Sequence, residues 1–580
     1  MSGDHREHAS READAVQRHA ADPARSVSLR ASAGSGKTKV LVDRIVRLLL
    51  VKAPLKSVVA LTFTRKAAVE IKKRLRERLG ALARLDRVGL ARKLEPLLGR
   101  PPLPAELDRA ALVFEEVLED ASGLLIGTIH TFCQTLLKRF ADEAGVDPAF
   151  TVLENTDDLW DEALAGLEAD IGRERQAATD LAELSPDPAA ARKLLRGVER
   201  ARLELDRWCD RVAGASKAQR TDARAVLLPA LATDLAEHVF RDTPLAGVAE
   251  PSLDDLRDPA VEAARNYAGP GLDAVLATQP PDDRDKLAAE LQGRRDEALA
   301  AAADIAGGAG IGPALEALFD VTLTRAGTPR QTRCGARDGA IKAARLDALA
   351  HAVQPVLAVR RQSTLVELYR HNLLWLRFGL RALDRYAELK RRDRCLDFHD
   401  LERRAWRLVR DIDVGPWILY RLDARLDHLL VDEFQDTNRN QWEVLQPFAT
   451  EFLAGETEDG RPRSAFFVGD VKQSIYGFRG ARPAIFGEVE AWLSGMTETP
   501  SLTLPTNFRS LPPVVETVGD LFQAQPLSDL LPPGEVAAAR QIPYRDDGPG
   551  GVLITAPVEV PAGGDAHAAA AARAARAVLR

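Results

Sequence analysis

Cysteine is scarce in this sequence, and long apolar runs are missing. The chain has four cysteines, which stand far apart and show no spacing typical of a metal–thiolate site: Cys133, Cys209, Cys334 and Cys395. No run approaches about 18 apolar residues, and residues 1–20 are too polar for a signal peptide. Disulfides, a zinc–cysteine centre and membrane insertion are therefore not indicated, and a reducing cytoplasm is the predicted location.

The sequence also lacks an excess of positive charge. It carries 79 lysine and arginine residues against 86 aspartate and glutamate residues, for a net charge of −7. Any DNA-binding surface must therefore be a local patch. Hydrophobic residues make up 46% of the 580 residues, which is ordinary for a folded chain. At about 150 residues per domain, this length predicts three or four domains.

Short apolar runs that end in polar or glycine residues predict buried parallel strands. They lie at Ser26 to Leu29, Ser57 to Thr62, Leu124 to Thr128, Leu429 to Val431 and Ala465 to Val468. Helical patterns such as Arg65 to Leu79 alternate with them, so an α/β sheet is predicted. Past Pro500 a further α/β unit is predicted, with strands at Leu502 to Leu504 and Val552 to Thr555 and a helix from Ala566 onward.

A long helical segment splits the predicted sheet. From about Glu154 to Arg392 the residues Ala, Leu, Arg, Asp and Glu dominate in helical rhythm, and helix breaks are predicted at Pro186, Pro251, Pro270 and residues 305–313. The predicted organisation is residues 1–153, with a helical excursion at about 81–120, then a helical insertion at 154–392, a return to the sheet at 393–498, and the further unit at 499–580.

A phosphate-binding loop follows the first predicted strand and opens a helix. It consists of Ala31, Ser32, Ala33, Gly34, Ser35, Gly36, Lys37 and Thr38. The glycines let backbone N–H groups converge on a phosphate at the positive end of the helix dipole. Lys37 suits the β- and γ-phosphates of ATP, and the Thr38 hydroxyl suits Mg²⁺. The strict pattern has glycine at position 31, where this chain has alanine, so a chance match is the alternative.

An acidic pair ends the fourth predicted strand. Asp432 suits the shell of Mg²⁺, and Glu433 suits the polarisation of an attacking water. The carboxyl end of a parallel strand is also where a nucleotide would bind. An ordinary acidic turn after a strand is the alternative for the pair taken alone. The phosphate loop and the acidic pair together predict a nucleotide hydrolase.

Further motifs follow in a fixed order around these two. They are Leu61-Thr62-Phe63-Thr64-Arg65-Lys66-Ala67-Ala68, Gly127-Thr128-Ile129-His130-Thr131-Phe132-Cys133, Val468-Gly469-Asp470-Val471-Lys472-Gln473-Ser474-Ile475-Tyr476-Gly477-Phe478-Arg479-Gly480-Ala481 and Thr506-Asn507-Phe508-Arg509-Ser510. The whole set resembles the UvrD/Rep-type superfamily 1 DNA helicases. Lys472 before Gln473 and the segment from Leu396 to Leu401 are similar to the RecB/AddA branch.

The resemblance implies a fold and a function. The fold is a RecA-like phosphate-loop NTPase domain, a parallel sheet with helices on both faces, with a large helical insertion and the start of a second RecA-like domain. The function is that of an ATP-dependent 3′–5′ DNA helicase subunit in double-strand break repair by homologous recombination, using ATP and Mg²⁺ on DNA ends beside an AddB-like partner subunit. The alternatives are a catalytically silent DNA- or partner-binding module and a non-helicase NTPase.

The resemblance also assigns nucleotide-binding roles. Gln17 takes the place of a glutamine that reads adenine, with a polar residue on an exposed helix as the alternative. Gln473 resembles a γ-phosphate sensor, and Arg509 resembles an arginine that reaches the γ-phosphate. Phe508 stands where the family often has a tyrosine that stacks on adenine, and a core phenylalanine is its alternative.

The DNA-binding residues form a second implied set. Phe63, Tyr476 and Phe478 stand just past strands, where they either stack on bases or belong to the core. The segments of the family that contact the DNA backbone correspond to Thr64, Arg65, Thr128 and His130. Asp397 and Asp400 receive no catalytic role, and helix capping is one explanation for them.

The resemblance further implies an arginine-containing late motif and a C-terminal nuclease, neither of which occurs in these 580 residues. The chain is therefore expected to be an N-terminal fragment. Because translocation needs two lobes that close around ATP, the 580 residues alone are expected to bind nucleotide weakly and to unwind little DNA. A strand-displacement assay checks this expectation, and robust unwinding by this chain would contradict it.

Overall fold

The computed structural model describes residues 13–119, 123–213, 224–243, 245–248, 251–281, 284–307, 311–332, 339–423, 426–454, 462–477, 480–497, 501–525, 529 and 540–545. The chain divides into two compact units. The first consists of the residues up to Val152 together with those from Leu396 onward, and the second is Leu153–Cys395. Within the described part, no helix is long and apolar enough to cross a membrane.

A six-stranded parallel sheet organises the first unit. Its strands are β1 (Val27–Arg30), β2 (Val58–Thr62), β3 (Leu125–Thr128), β6 (His428–Val431), β7 (Ser464–Gly469) and β8 (Leu502–Thr503), in the order β3-β2-β6-β7-β1-β8. The pairings place the phosphate-loop strand β1 beside β7, and β7 beside the acidic-pair strand β6. The short strands β4 (Thr151–Leu153) and β5 (Cys395–Asp397) lie at the ends of the helical segment.

Helices cover both faces of this sheet. They are α1 (residues 13–20), α2 (Lys37–Leu50), α3 (Arg65–Ala83), α4 (Arg87–Leu98), α5 (Pro104–Glu119), α6 (Ile129–Arg139), α7 (Ala141–Ala144), α18 (Phe398–Arg410), α19 (Gly415–Asp423), α20 (Arg439–Ala454), α21 (Ala484–Thr497) and α22 (Pro512–Gln523). Alternate residues of each strand enter opposite cores: Leu430 lies in one, and its neighbours Leu429 and Val431 lie in the other. Burial on both faces explains the continuous apolar runs of the sequence.

Two sequence predictions about the end of the sheet differ from the structure. The segment predicted to open a new unit forms β8, which extends the first sheet by pairing with β1. The new unit begins later, where β9 (Thr506–Asn507) and β10 (Ile542–Pro543) pair in parallel on either side of α22. A two-residue strand carries no pattern that indicates its sheet, which explains the error. The strand and helix predicted after Val552 lie outside the described residues.

The second unit is helical. Its helices are α8 (Asp157–Ile171), α9 (Arg175–Leu184), α10 (Pro188–Ala213), α11 (Leu228–Phe240), α12 (Arg257–Asn266), α13 (Leu272–Ala277), α14 (Arg284–Ala306), α15 (Ile311–Thr322), α16 (Gly339–Ala352) and α17 (Gln354–Arg392). The predicted break at Pro270 is wrong. A π-helical turn, Tyr267–Gly271, carries the chain from α12 into α13, and such a wide turn accommodates a proline that an α-helix would not.

A buried arginine ties the phosphate-loop helix to its surroundings. Arg44 of α2 is fully buried and donates to the backbone oxygens of Ala20, at 2.8 Å, and of Arg25. Its guanidinium lies 5.1 Å from the centre of the Phe466 ring in β7. Burial, partly offset by the charge of Asp22, lowers the pKa of Arg44 to about 9. One side chain thus holds α1, α2 and the sheet together.

Arg44→Met tests this role. The methionine fills similar space but leaves two buried carbonyl oxygens without their donors, so we expect a loss of about 2–4 kcal/mol in the unfolding free energy of the first unit. Thermal melting followed by circular dichroism measures the loss as a lower midpoint. Arg76→Met, at an exposed position of α3, is the matched control. Equal melting temperatures of the two variants would contradict the role.

Candidate active site

The phosphate loop joins β1 to α2 at the carboxyl edge of the sheet. Gly34 and Gly36 have positive φ angles of 80° and 92°, which only glycine adopts readily. A Cβ atom at Gly34 would lie 2.7 Å from Asn507 Oδ1, so contact with the next unit also requires glycine. Ala31 has a negative φ angle and donates its N–H to Gly469 O at 3.1 Å. Alanine is therefore tolerated where the strict motif has glycine.

Inside the loop, the serines order the backbone. Ser35 Oγ donates to Ser32 O at 2.7 Å, and Ser35 is fully buried. Ala33 is exposed at the tip of the loop. These contacts hold the loop open around the start of α2, where Lys37 and Thr38 are the first two residues.

Lys37 and Glu433 form an ion pair across this edge. Lys37 Nζ lies 3.0 Å from Glu433 Oε2 and 3.3 Å from Oε1, and the lysine side chain is only 10% exposed. Glu433 has a φ angle of 53°, a left-handed conformation that costs a residue other than glycine about 1–3 kcal/mol. Gln435 Nε2 donates to Glu433 Oε2 at 2.7 Å and holds the carboxylate in place. The strained turn thus presents a carboxylate to the phosphate loop.

Asp432 carries a charge that the protein does not fully compensate. Its side chain is buried, and its only described hydrogen bond comes from Glu433 N at 2.9 Å. Burial and the neighbouring charge of Glu433 raise the pKa of Asp432 to about 7, against the attraction of Lys37. The nearby strand end adds another unsatisfied group, because Thr62 Oγ1 is buried without a hydrogen-bond partner.

These residues fit a magnesium ion. The Asp432 carboxylate and the Thr38 hydroxyl are hard oxygen donors, and a cation would neutralise the charge that raises the pKa of Asp432. Among the described residues, no three His, Cys, Asp or Glu side chains cluster into a metal site of their own. Such an ion would therefore take its remaining ligands from phosphate oxygens and water, as Mg²⁺ commonly does.

Gln473 lies on the turn after β7, next to the acidic turn. Its side-chain amide donates to Asp470 Oδ2, and Asp470 Oδ1 lies 2.8 Å from Lys472 Nζ. Asp470 N donates to Gln435 Oε1 at 2.9 Å. Gln435 therefore connects Glu433 on one side to the Asp470 turn on the other. Gln473 reaches the phosphate only after it leaves Asp470.

The β9 segment closes over the phosphate loop. Phe508 N donates to Gly34 O at 2.9 Å, and Asn507 Nδ2 donates to Ala33 O at 3.0 Å. Asn507 Oδ1 accepts from the backbone N–H groups of Arg509 and Ser510, each at 2.9 Å. Sequence reasoning missed Asn507 as a site residue, although it lies within the quoted motif.

A cleft of about 200 Å³ lies where these segments meet, and predicted nucleotide-binding residues line it. They are Ser32, Ala33, Gln473 and Arg509, joined by Asp470, Lys472, Asn507, Ser510, Val514, Val515, Val518, Phe522 and Gln541. The half-buried Phe508 ring lies 4.9 Å from the Tyr544 ring, so it is not a fully buried core residue. Lys37, Thr38, Asp432 and Glu433 are not among the lining residues.

Gln17 is placed beside the phosphate loop. Its Nε2 donates to Ser35 O at 3.4 Å, and its Oε1 accepts from Lys39 Nζ at 2.7 Å. The residue is 5% exposed, which excludes the alternative of an exposed helix face. Its side-chain amide therefore supports the loop in this structure, and contact with adenine remains a prediction.

Part of the predicted DNA-binding set lies together at the ends of β2 and β7. The rings of Phe63 and Tyr476 are 4.5 Å apart at 35°, and both residues are half-buried. They form one aromatic surface and are not part of the hydrophobic core. Phe478 lies outside the described residues.

The other members of the set lie at two helix starts. Thr64 caps α3 by accepting from Ala67 N, and Thr128 caps α6 by accepting from Thr131 N. Both threonine hydroxyls thus have structural partners. Arg65, Thr128 and His130 line a groove of about 330 Å³ together with Thr131, Gln134, Lys138, Phe150, Thr151, Val152, Phe398 and Leu401. Asp397 and Asp400 form a capping box at the start of α18, in agreement with the capping explanation.

Two further residues escaped the sequence analysis. Gln435 bridges Glu433 and Asp470, and Glu402 pairs with His130, with 2.8 Å between His130 Nε2 and Glu402 Oε1. Gln435 lies within the acidic motif, which was a usable signal. Glu402 follows the segment Leu396 to Leu401 directly, but its partner is distant in sequence, and no local pattern indicates the pair.

The charge of Asp432 predicts a pH-dependent stability. Because its folded pKa is raised, the contribution of Asp432 is fully present below its unfolded pKa of about 4 and is lost as the pH rises through about 7. We therefore expect Asp432→Asn to stabilise the nucleotide-free protein by about 1–2 kcal/mol at pH 8 and not at pH 4.5. Thermal melting at both pH values measures this effect. An equal shift at the two pH values would contradict the assigned pKa.

Comparison with known proteins gives relatives that share one description, that of AddA-type subunits of an ATP-dependent helicase/nuclease. The relative from Lactobacillus gasseri is 23% identical over 520 residues, which cover 86% of this chain and 39% of the relative. That of Lactobacillus delbrueckii subsp. bulgaricus is 27% identical over 537 residues, covering 87% and 39%. That of Geobacillus kaustophilus is 28% identical over 556 residues, covering 91% and 40%. The chain thus spans about two fifths of the length of these relatives.

A family model also matches most of the chain. The model of the UvrD/REP helicase N-terminal domain matches residues 13–262 and 342–492. The two segments include the phosphate loop, the acidic pair and the turn at Gln473, and they end before the β9 segment. The chain belongs to the UvrD/REP helicase family.

Proposed function

We propose that this chain is the motor part of an ATP-dependent DNA helicase subunit that moves 3′ to 5′ along single-stranded DNA during double-strand break repair by homologous recombination. The observation that carries the proposal is the pairing of Lys37 with Glu433, at 3.0 Å, at the edge of a parallel sheet. Beside it, Asn507 and Arg509 meet the phosphate loop from a second βαβ unit. Family membership and the relatives' description support the proposal.

The residues account for ATP hydrolysis in a defined order. The loop backbone from Gly34 to Gly36 receives the phosphates, and Lys37 exchanges the Glu433 carboxylate for phosphate oxygens. Thr38 and Asp432 would hold Mg²⁺, which neutralises phosphate charge when bound. The released Glu433 orients a water and accepts its proton as the water oxygen bonds to the γ-phosphorus and the bond to ADP breaks.

Charge that develops on the γ-phosphate needs fixed cations. Arg509 lines the cleft from the β9 side, opposite Ser32 and Ala33 of the loop. A planar guanidinium there neutralises transition-state charge once the cleft closes. Gln473 becomes available to the γ-phosphate when it releases Asp470. Phe508 supplies an aromatic face for adenine, and Gln17 supplies an amide next to the loop.

A short path leads from this site to the DNA surface. Gln435 connects Glu433 to the Asp470 turn, and the same turn continues through Gln473 to Tyr476. Tyr476 contacts Phe63, so a shift of the turn alters the aromatic surface on which bases would stack. Contacts from Thr64, Arg65, Thr128 and His130 to the DNA backbone complete this part of the proposal.

The partners are also proposed. The relatives are described as subunits, so we propose an AddB-like companion and DNA ends as the substrate. A different class of function is a catalytically silent module that only grips DNA or its partner. The orientation of Glu433 toward Lys37 favours an active site over a silent one, because a strained acidic turn has no use in a passive grip.

Two substitutions in the full-length gene product test hydrolysis and binding separately. Lys37→Ala removes a charge-assisted contact and is expected to weaken binding of MgATP by about 10- to 100-fold. Glu433→Gln removes the competitor for Lys37 and is expected to tighten binding by about two- to fivefold. Each is expected to lower DNA-stimulated hydrolysis by about 100-fold or more. Fluorescent-nucleotide titration and phosphate release measure the two quantities.

Matched controls are available on α4. Lys93→Ala and Glu95→Gln change exposed residues of the same types and are expected to leave both quantities unchanged. Hydrolysis that is not stimulated by single-stranded DNA in the unmodified protein would favour the silent module. Weaker nucleotide binding by Glu433→Gln would contradict competition between the carboxylate and the phosphates.

A further inference from the structure

Glu402, on α18, is a buried carboxylate on which three side-chain donors converge. Its side chain is 6% exposed. Oε1 lies 2.8 Å from His130 Nε2 and 2.6 Å from Gln441 Nε2, while Oε2 lies 2.8 Å from Asn438 Nδ2. The histidine belongs to α6, and the two amides lie at the start of α20. One carboxylate therefore joins two segments that the nucleotide chemistry does not otherwise connect.

The two amides are held facing Glu402 by their own backbone contacts. Asn438 Oδ1 accepts from Gln441 N at 2.9 Å, and Gln441 Oε1 accepts from Asn438 N at 3.2 Å. These reciprocal bonds cap α20 and leave each NH₂ group directed at the carboxylate. An amide at position 402 would place one N–H group against another. The position therefore requires a group that only accepts, which is an ionised carboxylate.

The charge state and the histidine tautomer follow from the same contacts. Burial raises the pKa of Glu402, but the hydrogen bond and charge of His130, with the two amide donors, outweigh burial and keep the pKa below its usual range. Because a carboxylate cannot donate, His130 carries a hydrogen on Nε2. Nδ1 is then the ring nitrogen that Glu402 does not hold, and the ring lines the groove with Arg65 and Lys138.

The opposite end of the network adjoins the acidic turn. Asn438 is five residues past Glu433, and the one-turn helix Phe434–Asp436 lies between them. Thr437 O accepts from Arg482 N at 3.2 Å, and Asn438 forms a bridge with Ala481. A shift at the start of α20 therefore reaches both the acidic turn and the segment that follows Gln473.

We propose that Glu402 is a positioning residue that couples DNA occupancy of the His130 groove to the geometry of the acidic turn, and so sets how strongly single-stranded DNA stimulates ATP hydrolysis. The inference rests on the proposed function. A DNA phosphate at His130 shifts the imidazole, the carboxylate follows its shortest hydrogen bonds, and the capped start of α20 moves with it. The network is a contiguous chain of hydrogen bonds whose two ends lie at the two sites.

The test is a ratio measured on the full-length gene product: the rate of ATP hydrolysis with saturating oligo(dT) divided by the rate without it. Glu402→Gln is expected to lower this ratio at least about fivefold, because an amide cannot accept from all three donors. Glu443→Gln is the matched control. Glu443 is a carboxylate on α20 that accepts from Trp406 Nε1 at 2.7 Å, and its substitution is expected to leave the ratio unchanged.

A second variant keeps the inference testable if Glu402→Gln does not fold. His130→Ala changes a residue that is 23% exposed and removes the link from the other end, so it is also expected to lower the ratio. In a double-mutant cycle, the two substitutions together are expected to lower the ratio no further than either alone.

The outcomes separate two failures. An unmodified protein that DNA does not stimulate overturns the proposed function and this inference with it. A stimulated protein whose ratio survives Glu402→Gln, or whose two losses multiply in the double variant, overturns the role of Glu402 alone.

Discussion

The Lys37 ammonium and the Glu433 carboxylate lie 3.0 Å apart, and the rest of the site is arranged around that contact. Lys37 is placed by a loop that needs glycine at positions 34 and 36, and Glu433 by a left-handed turn. Each group satisfies the other only while no phosphate is present. A nucleotide must therefore separate them, and this exchange frees the carboxylate at the moment when a water must be oriented.

Uncompensated or tightly shared charge recurs at the functional positions of the first unit. Asp432 has a pKa raised to about 7 because burial and Glu433 disfavour its charged form. Glu402 shows the opposite balance, since its donors outweigh burial and lower its pKa. The first carboxylate thus has a reason to take up a cation, whereas the second already has three donors. Charge state separates the residue that binds a ligand from the residue that connects two sites.

The motif-bearing strands were predictable because their signals are local. A buried apolar run that ends in Gly, Thr or Asp specifies both the strand and the residues at its carboxyl edge, and β1, β2, β3, β6 and β7 follow that pattern. The partnership of Glu402 with His130 was not predictable, because its members come from separate segments that only the fold brings together. Asn507 depends likewise on contact with Ala33. The two residues of β8 carried too little pattern to assign a sheet.

The most direct test of the account is a crystal structure of the protein with Mg²⁺, a non-hydrolysable ATP analogue and oligo(dT). The account predicts that Lys37 Nζ lies within hydrogen-bonding distance of the β- and γ-phosphates and that Glu433 has turned from Lys37 to a water near the γ-phosphorus. A bound analogue with the Lys37–Glu433 ion pair still intact at about 3 Å would contradict it.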